Sequence, residues 1–180
     1  MSTLYLIRHC SASGQEPDAP LTEAGHEQTH LLRDFFREIP IDSIISSDYT
    51  RAIASVTPLA EAHQLPIERE PLLRERILSD GPLEDWLTPL RQSFIDPTFK
   101  LPGAESGEEA TQRIMQVIER AQSQQGSTLL VTHGNLLALL LQRLDPKYDF
   151  DTWRTMRNPD VYRLNFNDST PVIEHIWPHK

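Results

Sequence analysis

Three short apolar runs of β character stand at wide intervals along the chain: Thr3 to Arg8 (TLYLIR), Asp42 to Ser46 (DSIIS) and Ser127 to Thr132 (STLLVT). They read as buried strands. Helical periodicity fills the gaps. Thr22 to Ile39 carries apolar or small residues at Ala24, Leu31, Leu32, Phe35 and Phe36, with Thr22 placed as an N-cap and Pro40 as a stop. Thr50 to Gln64 and Gly107 to Gln125 repeat the pattern. In the latter, Ile114, Val117, Ile118 and Ala121 share one face, and Glu108 and Glu109 suit the positive end of the helix dipole. Asn135 to Leu144 predicts a buried helix. Val161 to Phe166 and Pro171 to Trp177 predict an antiparallel hairpin around Asn167-Asp168-Ser169. Strands alternating with helices predict an α/β fold: a three-layer α/β/α sandwich with a mostly parallel central sheet and that hairpin at the C-terminal end. No repeat or linker divides residues 1–180, so a single domain is expected.

Charge narrows the function. The chain holds 17 Lys+Arg against 26 Asp+Glu, for a formal net charge of −9. Residues 1–90 contain 7 Arg, no Lys and 15 acids, whereas residues 91–180 are nearly balanced. Such a surface argues against nucleic acid and anionic membranes as partners. One cysteine, Cys10, excludes an intrachain disulfide, so nothing requires an oxidising compartment. The opening run is cut short by Arg8 and lacks a basic leader, unlike a signal peptide. The longest apolar stretch, Leu136 to Leu141, falls far below the ~20 residues of a membrane span. A soluble cytoplasmic protein is expected, and the oligomeric state is not legible.

In α/β sheets, ligands bind beyond the carboxyl ends of the strands. Two of the predicted strands end in histidine there: one in Arg8-His9, another in Thr132-His133-Gly134. Arginine offers forked, permanently charged donors matched to phosphate or carboxylate. Ser46-Ser47-Asp48-Tyr49-Thr50-Arg51-Ala52 follows the second strand and places Arg51 in the first turn of a helix. Two readings stand there: Ser47 or Asp48 caps the helix and Arg51 is solvated, or Arg51 and nearby N–H groups hold an anion. Gly134 permits close backbone approach to a ligand. Structural roles remain open for both histidines. His26 and His30, spaced i, i+4, lack a third metal ligand and read as a solvated face; His63, His175 and His179 carry no supporting context. Trp153-Arg154 and Arg157 suit a pocket border or a partner surface.

Together these segments resemble the histidine phosphatase superfamily, the phosphoglycerate-mutase-like proteins, from Leu4 to about Leu141. Leu6-Ile7-Arg8-His9 resembles the nucleophile segment, Pro20-Leu21-Thr22-Glu23-Ala24-Gly25 the "pLTe.G" helix start, and Ser46 to Ala52 the "SS...RA" segment. Leu73-Arg74-Glu75 is similar to "L.E", Pro102-Gly103-Ala104-Glu105-Ser106 to "PgGES", and Leu130 to Gly134 to "vvsHG". The resemblance implies that His9 is phosphorylated, that Arg8, Arg51 and His133 grip the phosphoryl oxygens, and that Glu75 is the general acid. His133 thereby joins His9 and Glu75 as a catalytic residue. It implies no metal or other cofactor, and a small phosphorylated metabolite or a phosphoprotein as substrate. The first expectation is a metal-independent phosphatase of small phosphomonoesters; alternatives are a phosphohistidine or phosphoprotein phosphatase, a phosphoglycerate mutase, or a non-catalytic phosphate-binding module.

The chain also departs from the family pattern. Cys10 and Ser11 replace the usual glycine and acidic residue after the nucleophile, and Ala12 and Gln15 stand where a hydroxyl and an Asn are usual. Ser13 and Gly14 are candidate replacements as phosphate contacts. A thiol beside Arg8 is either packed or acidified and redox-active. The continuation after Glu75 differs as well, which leaves Asp80, Glu84 and Asp85 as competing acids. Ser106 and Gly134 are expected at the site mouth, and residues 76–105 over the pocket, with Leu87, Leu90, Phe94 and Phe99 lining it or forming small helical core contacts.

Overall fold

The structure, a computed structural model, describes residues 2–166 and 170–178. Six strands form one mixed sheet: β1 (Ser2–Arg8), β2 (Ser43–Ser46), β3 (Ile67–Arg69), β4 (Gly126–Thr132), β5 (Asp160–Asn165) and β6 (Val172–His175). Their order is β3-β2-β4-β1-β5-β6. The first four are mutually parallel, while β5 is antiparallel to β1 and β6 to β5. The anticipated turn at Asn167-Asp168-Ser169 lies outside the described residues, as does His179.

Period-two alternation splits the strand side chains between two cores. Tyr5, Ile7, Ile44, Leu129, Val131 and Val161 pack on one face, against α1 (Glu23–Phe35) and α2 (Thr50–His63). Leu4, Leu6, Ile45, Leu130, Tyr162 and Leu164 pack on the other, against α4 (Gly107–Gln122) and α5 (Gly134–Leu144). Two short helices complete the second face: α3 (Leu87–Ile95) and α6 (Phe150–Thr155). No helix among the described residues is long and apolar enough to cross a membrane.

Local chemistry sets the helix limits. Thr22 caps α1 by accepting the Gly25 N–H at 3.0 Å. The helix ends at Phe35 rather than Ile39, and the chain closes ahead of Pro40 in tight turns, with Arg37 N–H donating to the Asp34 carbonyl and Ile39 N–H to that of Phe36. Ser106 and Glu109 form a reciprocal capping box at the start of α4. That helix stops three residues short of Gln125, since Gly126 takes φ +101° to enter β4. Hydrophobic patterning shows no sign of β3, an edge strand whose Glu68 and Arg69 are exposed while Ile67 packs on the core, or of α6.

Candidate active site

The site assembles at the carboxyl ends of the parallel strands. β1 delivers Arg8-His9 and β4 delivers Thr132-His133, held in register by the His9 N–H donating to the Thr132 carbonyl at 3.1 Å. β2 leads into Ser47, whose N–H donates to the Val131 carbonyl at 2.9 Å. A 3-10 turn, Pro71–Leu73, brings Glu75 to the same edge, where Thr132 Oγ1 donates to the Leu73 carbonyl at 2.8 Å. Four separate segments thus converge, which is why no single stretch of sequence discloses the arrangement.

His9 is 7% exposed, and its ring is oriented from both sides. Nδ1 lies 2.7 Å from the Cys10 carbonyl, which only accepts, so Nδ1 carries the proton. Nε2 accepts from Arg51 Nε at 3.2 Å and therefore presents a lone pair. Burial, reinforced by the charges of Arg51 and Arg8, lowers the His9 pKa to about 3, although the Cys10 hydrogen bond opposes it. His133 is fully buried and pushed well below the ordinary histidine range, first by burial and then by His9 and the arginines. The two rings lie 5.0 Å apart, and Ser47 Oγ is 2.8 Å from His133 Nε2.

The arginines are fixed at one edge and open at another. Arg8 Nη1 donates to the Met156 carbonyl at 2.8 Å, while Arg51 Nη1 donates to the Gln15 and Glu16 carbonyls at 3.2 and 2.9 Å. Arg51 also lies 5.0 Å from the Tyr49 ring centroid. Burial lowers both guanidinium pKa values, with Glu75 opposing. Arg8 Nε, Arg51 Nη2 and His133 Nδ1 are buried without a protein partner. Leaving a buried donor unpaired costs about 1–3 kcal/mol each, so three in one cluster describe a cradle for acceptor oxygens.

Gly134 explains the glycine after His133: an added Cβ would sit 2.8 Å from Arg8 Nε. Gly25 is comparable, because its Cβ would run into the Ser11 carbonyl of the loop following His9. That loop is pinned to α1 again by Ser11 N–H donating to Gln28 Oε1 at 2.8 Å.

Glu75 lies at the start of α5, accepting the N–H groups of Leu136, Asn135 and Arg76 at 2.9, 3.1 and 2.8 Å. Its charge is felt by both Arg8 and Arg51. The competing acids are elsewhere: Asp80 lies against Gly103, Glu84 is exposed, and Asp85 accepts the Thr88 N–H at the start of α3. Ser13 is exposed, with its hydroxyl donating to the Pro20 carbonyl, and Gly14 abuts the Glu16 carboxylate. Ser106 spends its hydroxyl on the α4 cap. No hydrogen bond among the described residues links Ser13 or Ser106 to the histidine–arginine cluster.

Two expectations change here. The acidified Cys10 thiol is not found: the residue is wholly buried and its pKa is pushed up to about 12 by burial, with only partial relief from hydrogen bonding. Of residues 76–105, Leu90 and Phe94 are core contacts of α3, whereas Leu87 is exposed. His26 and His30 are exposed on α1. Two supporting residues had no sequence signal of their own. Asn158 Nδ2 donates to the His9 carbonyl at 2.8 Å, and Met156 offers only its backbone to Arg8. Ser47 was legible in position, directly after a strand, but not in its contact with His133.

With this geometry in place, the profile of the histidine phosphatase superfamily (branch 1) matches residues 4–177. The chain belongs to that superfamily. "Probable phosphoglycerate mutase GpmB" of Yersinia pestis (strain Pestoides F) is 34% identical over 198 residues, covering 98% of this chain and 90% of the relative. Among solved structures, Bacillus stearothermophilus YhfR superposes with TM-score 0.81 at 21% identity, covering 98% of this chain and 96% of that one. The mycobacterial glucosyl-3-phosphoglycerate phosphatase gives TM-score 0.78 at 23% identity, with 96% of each chain covered. At such identities these structures establish the shared fold.

The neutral state of His9 has a measurable cost. Its pKa falls from 6.5 unfolded to about 3 folded, so the unfolded state binds more protons between those values and stability falls as pH drops through that window. Keeping His9 neutral at about pH 5 costs about 2 kcal/mol. Denaturant titrations at about pH 7 and about pH 5, in buffer free of phosphate, should therefore show wild type losing about 2 kcal/mol more than His9→Ala. Equal losses in the two proteins would contradict a buried neutral His9.

Proposed function

We propose that the protein is a metal-independent phosphatase that hydrolyses small phosphomonoesters through a phosphohistidine on His9. The observation that carries this reading is the set of three unpaired buried donors, on Arg8, Arg51 and His133, around a neutral histidine lone pair. A phosphoryl group spreads charge over its equatorial oxygens, and such donors stabilise it mainly by position and electrostatics. The two guanidinium groups supply the positive charge that a cation provides in other phosphoryl-transfer sites.

The steps follow from the contacts. Phosphate oxygens take the Arg51 Nε–H from His9 Nε2, which frees the lone pair to attack phosphorus in line. The P–O bond breaks as the N–P bond forms, and the leaving oxygen takes a proton from Glu75. The Cys10 carbonyl accepts the Nδ1–H and stabilises the cationic phosphohistidine. Water then gives a proton to Glu75 and its oxygen to phosphorus, the N–P bond breaks, and phosphate leaves. Ser47 Oγ already accepts the Tyr49 N–H at 3.3 Å, so donating its own proton to His133 Nε2 would keep Nδ1–H available to the phosphoryl group.

The name of the Yersinia relative favours a second reading, a phosphoglycerate mutase, which would use the same nucleophile. Incubation with p-nitrophenyl phosphate and with 3-phosphoglycerate, EDTA present, separates them. A phosphatase releases inorganic phosphate from p-nitrophenyl phosphate. Interconversion of phosphoglycerates without net release would establish the mutase, and no turnover of either would leave a phosphate-binding module.

A further inference from the structure

Glu75 sits on a stretch of chain that has little regular structure of its own. Up to Leu73 the backbone is tied to the sheet, through Thr132 Oγ1 on the Leu73 carbonyl and the Glu70 carboxylate on the Leu72 N–H. Beyond it, residues 74–77 form neither helix nor strand. Their placement therefore depends on individual side-chain links, and the strongest of these involve Glu105, which takes no part in the steps above.

Glu105 directly precedes Ser106, the cap of α4. Its carboxylate pairs with Arg113 on that helix through two bonds, Nε to Oε1 at 2.6 Å and Nη2 to Oε2 at 2.9 Å. The Arg113 and Glu105 side chains are 18% and 19% exposed. A bidentate pair so sheltered fixes orientation as well as charge. Its other contacts fall on either side of Glu75. Arg113 Nη1 donates to the Leu72 carbonyl at 2.6 Å, three residues before it. The Glu105 N–H donates to the Ile77 carbonyl at 2.9 Å, two residues after it, and the Glu105 carbonyl accepts from Arg76 Nε at 2.9 Å. The irregular stretch is thus gripped at both ends, with Glu75 between them aimed at the first turn of α5.

We propose that Glu105 and Arg113 are positioning residues for Glu75, and that their ion pair sets the reach over which its proton is delivered to the leaving oxygen. The catalytic half of this inference rests on the general-acid role of Glu75 in the phosphatase reading. A displacement of about 1 Å can cost about 10²-fold in rate, so the pair need not touch substrate to matter. Two variants test it. Glu105→Gln keeps both backbone bonds and removes the charge on the fork. Arg113→Lys keeps the positive charge that acts on His133, but an ammonium lacks the planar fork that binds Glu105 and the Leu72 carbonyl together. In each, kcat/KM for an alkyl phosphate should fall about tenfold to a hundredfold, against less than about threefold for p-nitrophenyl phosphate. Adding Glu105→Gln to Glu75→Gln should cost little more than Glu75→Gln alone, because the first acts through the second. Equal losses on the two esters, or losses that multiply in the double variant, would overturn the proposal.

A structural readout separates this failure from failure of the general-acid reading. Amide hydrogen exchange, followed by NMR, should quicken about tenfold at Asn135 and Leu136 in both variants, as Glu75 leaves their N–H groups uncovered. Leu137, whose N–H donates to the His133 carbonyl, should exchange as in wild type. If Glu75→Gln itself shows no split between the esters, faster exchange at the two amides would uphold the positioning and reject only the general acid. Unchanged exchange, or equal quickening at all three amides, would reject the positioning.

Discussion

His9→Ala is expected to lower kcat by on the order of 10⁴-fold or more on every phosphomonoester, with little change in the affinity for inorganic phosphate. The asymmetry arises because the ring supplies the attacking lone pair while other groups supply the binding. Arg8, Arg51 and His133 retain their unpaired donors when His9 is removed, and Arg51 stays anchored by the Gln15 and Glu16 carbonyls. Alanine also relieves the burden of a buried imidazole, so the variant should fold. Steady-state kinetics together with phosphate binding by calorimetry check this. A variant that keeps a tenth of its turnover, or that loses phosphate binding and turnover in parallel, would show that His9 is not the nucleophile.

Glu75→Gln should have the next largest effect, and its dependence on the leaving group is the diagnostic feature. Protonation of the departing oxygen contributes typically about 10²–10⁴-fold, so kcat/KM for an alkyl phosphate should fall within that range. With p-nitrophenyl phosphate, whose leaving group departs without a proton, the loss should stay within about fivefold. Glu75 also caps α5 by accepting the Asn135 and Leu136 N–H groups, besides that of Arg76, and a glutamine replaces one acceptor oxygen by an amide donor. A lower Tm is therefore expected as well, by itself a structural effect. Only the split between the two substrates reports on proton transfer, and equal losses on both would return Glu75 to a capping role alone.

Much of this arrangement is legible in the amino-acid sequence. The strands ending at Arg8 and Thr132, and the helix carrying Arg51, follow from short apolar runs bounded by polar turns, because buried strands and amphipathic helices leave that imprint. The convergence of His9, Arg51, Glu75 and His133 followed from segment order matched to a family pattern. Periodicity alone gives no distances between segments. Less legible were contacts made through backbone atoms, which carry no residue identity. Met156 holds Arg8, and Cys10 orients His9, through carbonyls that any residue would supply. Cys10 itself was ambiguous, since a neighbouring arginine and complete burial push a thiol in opposite directions, and only the fold shows that burial prevails. The region between Glu75 and Ser106 was the most opaque, for it is largely irregular and draws its order from single buried links such as Arg76 to Ser93.

The charge asymmetry resolves in the same terms. The acidic N-terminal half contributes both arginines of the site, Arg51 fully buried and Arg8 half-buried, whereas Asp18, Glu23, Glu27 and Glu38 lie exposed. Long-range steering of anions should be weak, so affinity depends on short contacts within the cluster.

The central claim is covalent, and rapid quenching of the enzyme during turnover tests it directly. Mass spectrometry of wild type quenched at alkaline pH should show one added phosphoryl group, labile to acid and located on the peptide that contains His9. Its absence under single-turnover conditions in which phosphate is released, or its location on His133 or on a hydroxyl group, would contradict the account.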